Sequence, residues 1–484
     1  MQKVKEKSVN ELLIPLDTKS KVPIYEQICD YIKRAVQQKH LIPGEKLPSS
    51  RAFARCLAVS RSTVDLAYDQ LVSEGYIESI PCKGYYICEI DSLYVPGRKR
   101  KEEWKTEKEN PVKEAERQQK NCAYDFSLNG IAPGGFPHNI WKKLARRVLS
   151  EDDDTLFQLG NPWGEYGFRS AVAEYLYQAR GMRCCPEQIL IGAGNDYLLM
   201  LLGTILGKNR VIAMEDHTYL TAYYDFLHIG YEVKAVKQDE SGMCISSLKD
   251  SGAEIAYVMP SHQFPAGTVM PLKRRMALLD WAEEADGRYI IEDDYDSEFR
   301  YRGKPIPALQ GFDRGGRVIY MGTFSKSIAP SIRVSYMVLP ESLAELYAER
   351  KSPFSVTVSR ADQKILELFL KEGGYERHLN RMRAVYKSKH DKMVKVLRDM
   401  GSICTFSGEY AGLHLVLEFT NGLTEEEAVL RAKGAGVQVY GYSEYGIESS
   451  KIKKESERRV LLGYASMTEE EIEKAIRKLK EVWE

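Results

Sequence analysis

A single lysine, Lys326, stands in the run Gly322-Thr323-Phe324-Ser325-Lys326-Ser327, and Arg333 follows seven residues later. Upstream, an apolar run ends in carboxylates and a phenol, Ile291-Glu292-Asp293-Asp294-Tyr295-Asp296. These types, in this order, suit the chemistry of an aldehyde cofactor, pyridoxal phosphate. A lysine that forms a Schiff base must be neutral part of the time, so its reference pKa of about 10.4 has to fall. An acid must keep the pyridine nitrogen protonated so that the ring acts as an electron sink. Asp293 has that role in this reading, and the Tyr295 phenol hydrogen-bonds the ring hydroxyl. A phosphate dianion wants hydroxyls, an arginine fork and free N–H groups at a helix start. Thr323, Ser325 and Arg333 supply the first two.

Three further segments fit. Ile191-Gly192-Ala193-Gly194-Asn195-Asp196 reads as strand, glycine loop and helix start, so the N–H groups of Gly194, Asn195 and Asp196 can cradle phosphate. Tyr219 follows a strand, where its ring can stack on the pyridine. His262 and Gln263 follow another strand and fall at the same rim. Each piece alone is weak, since Ser-Lys pairs are usually surface and Asp-Asp pairs usually solvated turns. Their common placement at strand ends carries the reading. The carboxylates are not taken as a metal site, because no paired His or calcium-loop glycine accompanies them.

The elements that must position these residues are legible as alternating types. Ile189–Ile191, Arg210–Met214, Ile255–Met259, Tyr289–Ile291, Val318–Met321 and Ser335–Leu339 read as strands. Leu198–Leu206, Lys273–Glu284 and Ala361–Leu370 read as helices. Alternation of this kind predicts an α/β body, a mainly parallel sheet covered on both faces. In such sheets ligands bind at the carboxyl ends of strands.

Composition sets the outer bounds. A chain of 484 residues suggests roughly three structural units. Lys+Arg and Asp+Glu are both 69, so net charge argues neither for a nucleic-acid coat protein nor for an acidic tail. Nine scattered cysteines without a CxxC pair read as reduced thiols. The N-terminus lacks a secretory pattern, and no apolar run is long enough to span a bilayer. A soluble, cytoplasmic protein is expected.

One stretch, Arg98 to Lys120, is dense in charge of both signs and nearly devoid of aliphatic residues. It predicts a linker over 93–123, which as a flexible chain would span about 30 Å on average. A solvated helix carrying Glu/Lys pairs is the other reading. The linker divides a head, 18–92, from a body, 124–484, with a large subdomain at about 170–340 and a small one at about 345–484.

In the head, Ile24, Ile28, Ile32 and Val36 mark an amphipathic helix. Ser49 and Ser60 stand as caps of two more, and Gly75 as the stop of the last. Two strands around a Lys83-Gly84 turn follow, giving a winged helix-turn-helix. Between Glu45 and Asp65 lie Lys46, Arg51, Arg55 and Arg61, with no acid. Phosphate contacts supply affinity there, and the first turn of the second helix of the motif, with Arg61, Ser62 and Thr63, can reach base edges in the major groove.

Lys46-Leu47-Pro48-Ser49-Ser50-Arg51, Val59-Ser60-Arg61-Ser62-Thr63-Val64 and Lys83-Gly84-Tyr85-Tyr86-Ile87 resemble the winged-helix domain of GntR-superfamily regulators. That resemblance implies DNA contacts from Arg51, Arg61, Ser62 and Thr63, with Lys83 and Gly84 at the wing tip. Residues 124–484 resemble a fold-type I aminotransferase, and the order of head, linker and body resembles the MocR subfamily of GntR regulators. The resemblance implies a small C-terminal α+β subdomain and a homodimer, head-to-tail, with each head crossing to its partner. It also implies a carboxylate-binding arginine late in the chain. By register that is Arg459, with Arg458 as a plain surface residue. Two departures stand out. Phe264 occupies the place before Pro265 where such transaminases usually carry Asn, and Thr221 stands where γ-amino-acid sensors of the subfamily carry an arginine.

The function expected is a pyridoxal-phosphate-dependent regulator that binds double-stranded operator DNA. It senses an amine or amino acid effector through aldimine exchange at Lys326. The alternative is a working aminotransferase with an accessory DNA-binding head, and a third reading makes the body a cofactor-free dimerisation scaffold.

Overall fold

The computed structural model describes residues 14–89, 122–150, 154–301, 306–350, 354–447 and 457–484. The chain divides into two compact units at Glu114/Ala115. The segment expected as a linker, 93–123, lies outside the described residues up to Asn121.

The head has three helices, α1 (Ile24–Gln37), α2 (Ser50–Leu57) and α3 (Arg61–Ser73), then a hairpin of β1 (Ile77–Ile80) and β2 (Gly84–Ile87). Both expected caps form. Ser49 Oγ accepts from the N–H of Ala52 at 3.3 Å and Ser60 Oγ from that of Thr63 at 3.1 Å. Ala58, at φ +53°, turns the chain between α2 and α3. Ile28, Ile32, Phe53, Val64, Ala67, Tyr68 and Leu71 are wholly buried and close one core. Late in α1 the buried face passes through Ala35, leaving Val36 half-buried, because the helical period of 3.6 drifts off a strict spacing of four. The hairpin pairs Ile77 with Ile87 and Ile80 with Gly84. This is a winged helix-turn-helix.

The body is built on a seven-stranded sheet. Its elements are β3 (Ile189–Gly192), α4 (Asn195–Leu206), β4 (Val211–Glu215), α5 (Leu220–Ile229), β5 (Glu232–Val236), β6 (Ile255–Val258), α6 (Leu272–Glu283), β7 (Tyr289–Asp294), β8 (Val318–Thr323) and β9 (Ser335–Val338). The strand order is β3-β9-β8-β7-β6-β4-β5. Only β9 runs against its neighbours; the other pairs are parallel. Successive residues of the central strands feed different cores. Ile291, Ile319 and Met321 pack on one face, whereas Ile290 and Val318 pack on the other. Burial on both faces is why these strands read as continuous apolar runs rather than as alternations.

The C-terminal part carries the long helix α7 (Gly374–Leu397), the strands β10 (Cys404–Ser407), β11 (His414–Phe419), β12 (Tyr440–Gly441) and β13 (Arg459–Gly463), and the closing helix α8 (Glu469–Trp483). The strands form an antiparallel sheet in the order β10-β11-β13-β12. Helices and sheet share a core that includes Leu397, Leu415, Leu462, Ile476 and Trp483. The α/β body with a smaller α+β part agrees with the sequence expectation. No described helix is long and apolar enough to cross a membrane.

Candidate cofactor site

The site lies along the carboxyl ends of β3, β4, β6, β7 and β8. Strand alternation sorts the acidic run of β7 into two jobs. Glu292 and Asp294 face one way and are consumed by structure. Glu292 accepts from the N–H groups of Leu309 at 2.8 Å and Gln310 at 2.9 Å. Asp294 takes Arg180 Nη2 at 2.8 Å and the hydroxyl of Tyr320 at 2.7 Å. Asp293 faces the other way, accepting from the Tyr257 hydroxyl at 2.5 Å and from Asn195 Nδ2 at 3.2 Å. Burial pushes its pKa up to about 7; Asp294 and Asp296 add to the rise, and the two donors oppose it.

Lys326 follows β8. Its Nζ donates to the carbonyl of Leu128 at 2.5 Å and reaches Asn129 Oδ1 at 3.3 Å. Burial brings its pKa down to about 8, with Asp296 pulling weakly the other way. A nucleophilic amine that is neutral near physiological pH needs this kind of environment.

Beside it, Thr323 Oγ1 accepts from the N–H of Ser325 at 3.1 Å and from Ser335 Oγ at 2.9 Å. The Ser325 hydroxyl is buried with no protein partner. Gly194, at φ +104°, leads into α4, and a Cβ added there would come within 2.3 Å of Arg333 Nη2. Glycine is what lets the guanidinium lie over the helix N-terminus. Arg333 also pairs with Asp196 at 3.0 Å.

These groups enclose a cavity of about 280 Å³ lined by Lys326, Asp293, Tyr295, Tyr219, Asn195, Asp196, Thr323, Ser325 and Arg333, together with Asp296, Phe264 and His414. An unpartnered serine hydroxyl, a glycine cradle at a helix start, a buried acid and a depressed lysine form a donor set that fits pyridoxal phosphate. The Tyr295 hydroxyl lies 2.9 Å from His262 Nδ1. Burial first, then the neighbouring aspartates, keep that phenol protonated. Tyr219 meets Phe264 edge-on, with ring centroids 6.4 Å apart. Gln263 turns away from the cavity and donates to Glu215 at 2.8 Å and to the carbonyl of His217 at 3.0 Å.

Arg459 is not brought to this cavity. On β13 its Nε and Nη2 grip Glu457 at 2.6 and 2.8 Å, and its guanidinium lies 3.7 Å over the ring of Tyr442. It lines a separate cavity of about 410 Å³ with Asp216, His217 and Glu418. The register that selected it follows spacing to a strand and does not reveal the bidentate acid two residues earlier. Arg458 is exposed, as a plain surface residue would be.

Sequence reasoning passed over five participants. Tyr257 sits inside an apolar strand and reads as core. Asp296 and His414 gain their positions only when strand ends converge. Leu128 and Asn129 reach Lys326 from nearly two hundred residues away, without a local signal.

In the head, Arg51, Arg61, Ser62 and Lys83 are exposed, while Thr63 and Gly84 are partly covered. The hydroxyls of Ser62 and Thr63 fold back to the Ser60 cap, at 2.8 and 2.7 Å. Arg61 reaches Asp65 at 3.3 Å along α3. The wing turns through Cys82 and Gly84, at φ +62° and +109°.

A winged-helix reader joined to a pyridoxal-phosphate fold defines a class, the cofactor-dependent DNA-binding regulators. Comparison with known proteins agrees. Residues 24–87 match the family model for bacterial regulatory proteins of the gntR family, and residues 129–479 that for aminotransferase class I and II. The chain is 38% identical to the HTH-type transcriptional regulator YdeL of Bacillus subtilis, covering 96% of this chain and 97% of that protein. It is 30% identical to the probable rhizopine catabolism regulatory protein MocR of Rhizobium meliloti, covering 97% and 95%. An archaeal alanine:glyoxylate aminotransferase superposes with a TM-score of 0.69 at 25% identity, over 77% of this chain and 94% of that one. The chain belongs to the MocR-type GntR regulators, transcription regulators with a pyridoxal-phosphate-binding, aminotransferase-like body.

Proposed function

We propose that the body senses a small amine or amino acid at Lys326 and reports it to the DNA-binding head. The observation that carries this reading is Lys326, depressed to about 8 and facing the same cavity as Asp293. Bound pyridoxal phosphate supplies an electrophilic aldehyde carbon and an electron-withdrawing ring. The protein's own groups do the rest. Lys326 would supply the amine for that carbon, its pKa of about 8 leaving a neutral fraction near neutral pH. Asp293 presents its carboxylate to the ring nitrogen, and Tyr295 its hydroxyl to the ring oxygen. Thr323, Ser325, Arg333 and the N–H groups of Gly194, Asn195 and Asp196 hold the phosphate, while Tyr219 covers the ring.

Signal transmission requires that the effector bind two body conformations with different affinity. In this proposal the protein works in the cytoplasm as a homodimer on double-stranded operator DNA. Its two subunits are arranged head-to-tail. In the head, Arg51, Arg61, Ser62 and Thr63 face DNA, and Lys83 and Gly84 form the wing contact.

The test is Lys326→Ala in the full chain. The absorbance band of the lysine–cofactor linkage and effector-dependent promoter output are both expected to disappear, while basal operator binding persists. Unchanged effector-dependent output would overturn the reading. A keto acid that repeatedly restores the starting spectrum would instead favour a working aminotransferase.

A further inference from the structure

Behind Tyr295 lies a His–Asp pair that no step so far uses. His262 and Asp296 are 1% and 2% exposed, and His262 Nδ1 stands 2.9 Å from Asp296 Oδ2 and 3.2 Å from Oδ1. The same Nδ1 is 2.9 Å from the Tyr295 hydroxyl. The other ring nitrogen, Nε2, is buried without a partner. Gly412 packs against the imidazole so closely that a Cβ there would come within 1.8 Å of Cε1.

The position of one hydrogen follows from this geometry. A bare Nδ1 lone pair would face a carboxylate oxygen at hydrogen-bond distance, which is repulsive. Nδ1 therefore carries the hydrogen and donates it to Asp296. The Tyr295 hydroxyl then has no acceptor at Nδ1, and its oxygen can only share that N–H. Its own hydrogen must point elsewhere. Phe264 meets the tyrosine ring edge-on, with centroids 6.2 Å apart, and offers no acceptor. The open direction is the cavity that Tyr295 lines.

We propose that the buried His262–Asp296 pair is a positioning device that aims the hydroxyl hydrogen of Tyr295 into the cavity, making the phenol a dedicated donor to the ring oxygen of the cofactor. The proposal rests on the cofactor reading above. His262 acts through Tyr295 and need not touch the cofactor. The other titratable groups facing the pair include His414, its ring centroid 5.0 Å from that of His262, and, around Asp296, Lys326, Asp293, Glu298 and the phenols of Tyr301 and Tyr464. His414 donates from Nε2 to the carbonyl of Pro265 at 3.0 Å, and burial drives its pKa down to about 3, so it stays neutral and brings no competing charge.

The test uses the full chain loaded with pyridoxal phosphate and reads the pH midpoint of its visible absorbance band. A donor to the ring oxygen favours the protonated form of the lysine–cofactor linkage less than the bare oxyanion would, so losing the donor raises the midpoint. His262→Leu is expected to raise it by about one pH unit, the scale of one charge-assisted hydrogen bond. The amide nitrogen of His262→Asn falls near the position of Nδ1 and is expected to keep the midpoint. His262→Gln places its amide near Nε2 and is expected to behave like leucine. In a Tyr295→Phe background all three are expected to coincide. Equal midpoints for the Asn and Gln variants, or differences that survive Tyr295→Phe, overturn the proposal. The Asn/Gln comparison decides the matter alone if the leucine variant fails to fold. Absence of any visible band in the wild-type protein would instead defeat the cofactor reading itself.

Discussion

The hydroxyl of Tyr257 on β6 lies 2.5 Å from Oδ2 of Asp293 on the neighbouring strand β7. Both side chains are almost fully removed from water. This donor, with Asn195 on the other oxygen, opposes the burial that pushes Asp293 up to about 7. Tyr257 thus helps keep a carboxylate ionised where the cofactor's ring nitrogen needs one.

Tyr257→Phe removes that donor with little change in volume. A hydrogen bond to a charged group contributes about 1.5–3 kcal/mol. Affinity for pyridoxal phosphate is expected to fall about tenfold or more, read by absorbance titration of the full chain, with its melting temperature only slightly lowered.

The cofactor-free protein carries two opposite pH signatures. Asp293 is raised in the folded state to about 7, above its unfolded value of about 3.9. Between those values the folded chain holds the extra proton, so stability falls as pH rises from about 4 to 7. Asp293→Asn is expected to flatten that fall. Lys326 is depressed to about 8, below its unfolded value of about 10.4. Between those values the unfolded chain holds the extra proton, so this contribution recovers as pH rises from about 8 to 10. Lys326→Met is expected to stabilise the protein below pH 8 and to lose that advantage towards pH 10. Urea unfolding across a pH series reads both.

Arg180 and Asp294 form an ion pair that is 4% and 2% exposed. The same guanidinium donates to Ser261 Oγ at 2.6 Å and to the carbonyl of Ile306 at 2.5 Å. Arg180→Met leaves Asp294 buried without its countercharge, with the Tyr320 hydroxyl and the Ser297 N–H as its remaining donors. Breaking such a pair from one side costs about 3–5 kcal/mol. A pronounced drop in the urea midpoint is expected, and a change within error would mean that Asp294 finds water in the variant.

In the head, Lys83 is exposed at the wing and Arg51 at the start of α2. Replacing either with Ala is expected to weaken operator and non-operator DNA alike, and to reduce the slope of log K against log salt by about one. Arg61, already drawn towards Asp65, is expected to show a smaller salt effect unless it reads a base. Fluorescence anisotropy at several salt concentrations separates these cases.

Much of this protein was determined by local signals. Ser49, Ser60 and Gly75 delimit the head helices because capping is settled within a few residues. The strand runs and the Gly194 loop are legible for the same reason, and the order of Asp293, Tyr295, Thr323, Ser325, Lys326 and Arg333 placed them at one sheet edge. Only the tertiary structure decided the partners. Alternation on β7 gave Asp294 to Arg180 and Asp293 to Tyr257, a division that spacing alone does not assign. Arg459, selected by register, is held by Glu457 and Tyr442 and belongs to another cavity. Lys326 is bound by Leu128, and His262 by Asp296, across long stretches of chain. Such contacts depend on how strand ends converge in three dimensions, and a one-dimensional pattern carries no record of that convergence.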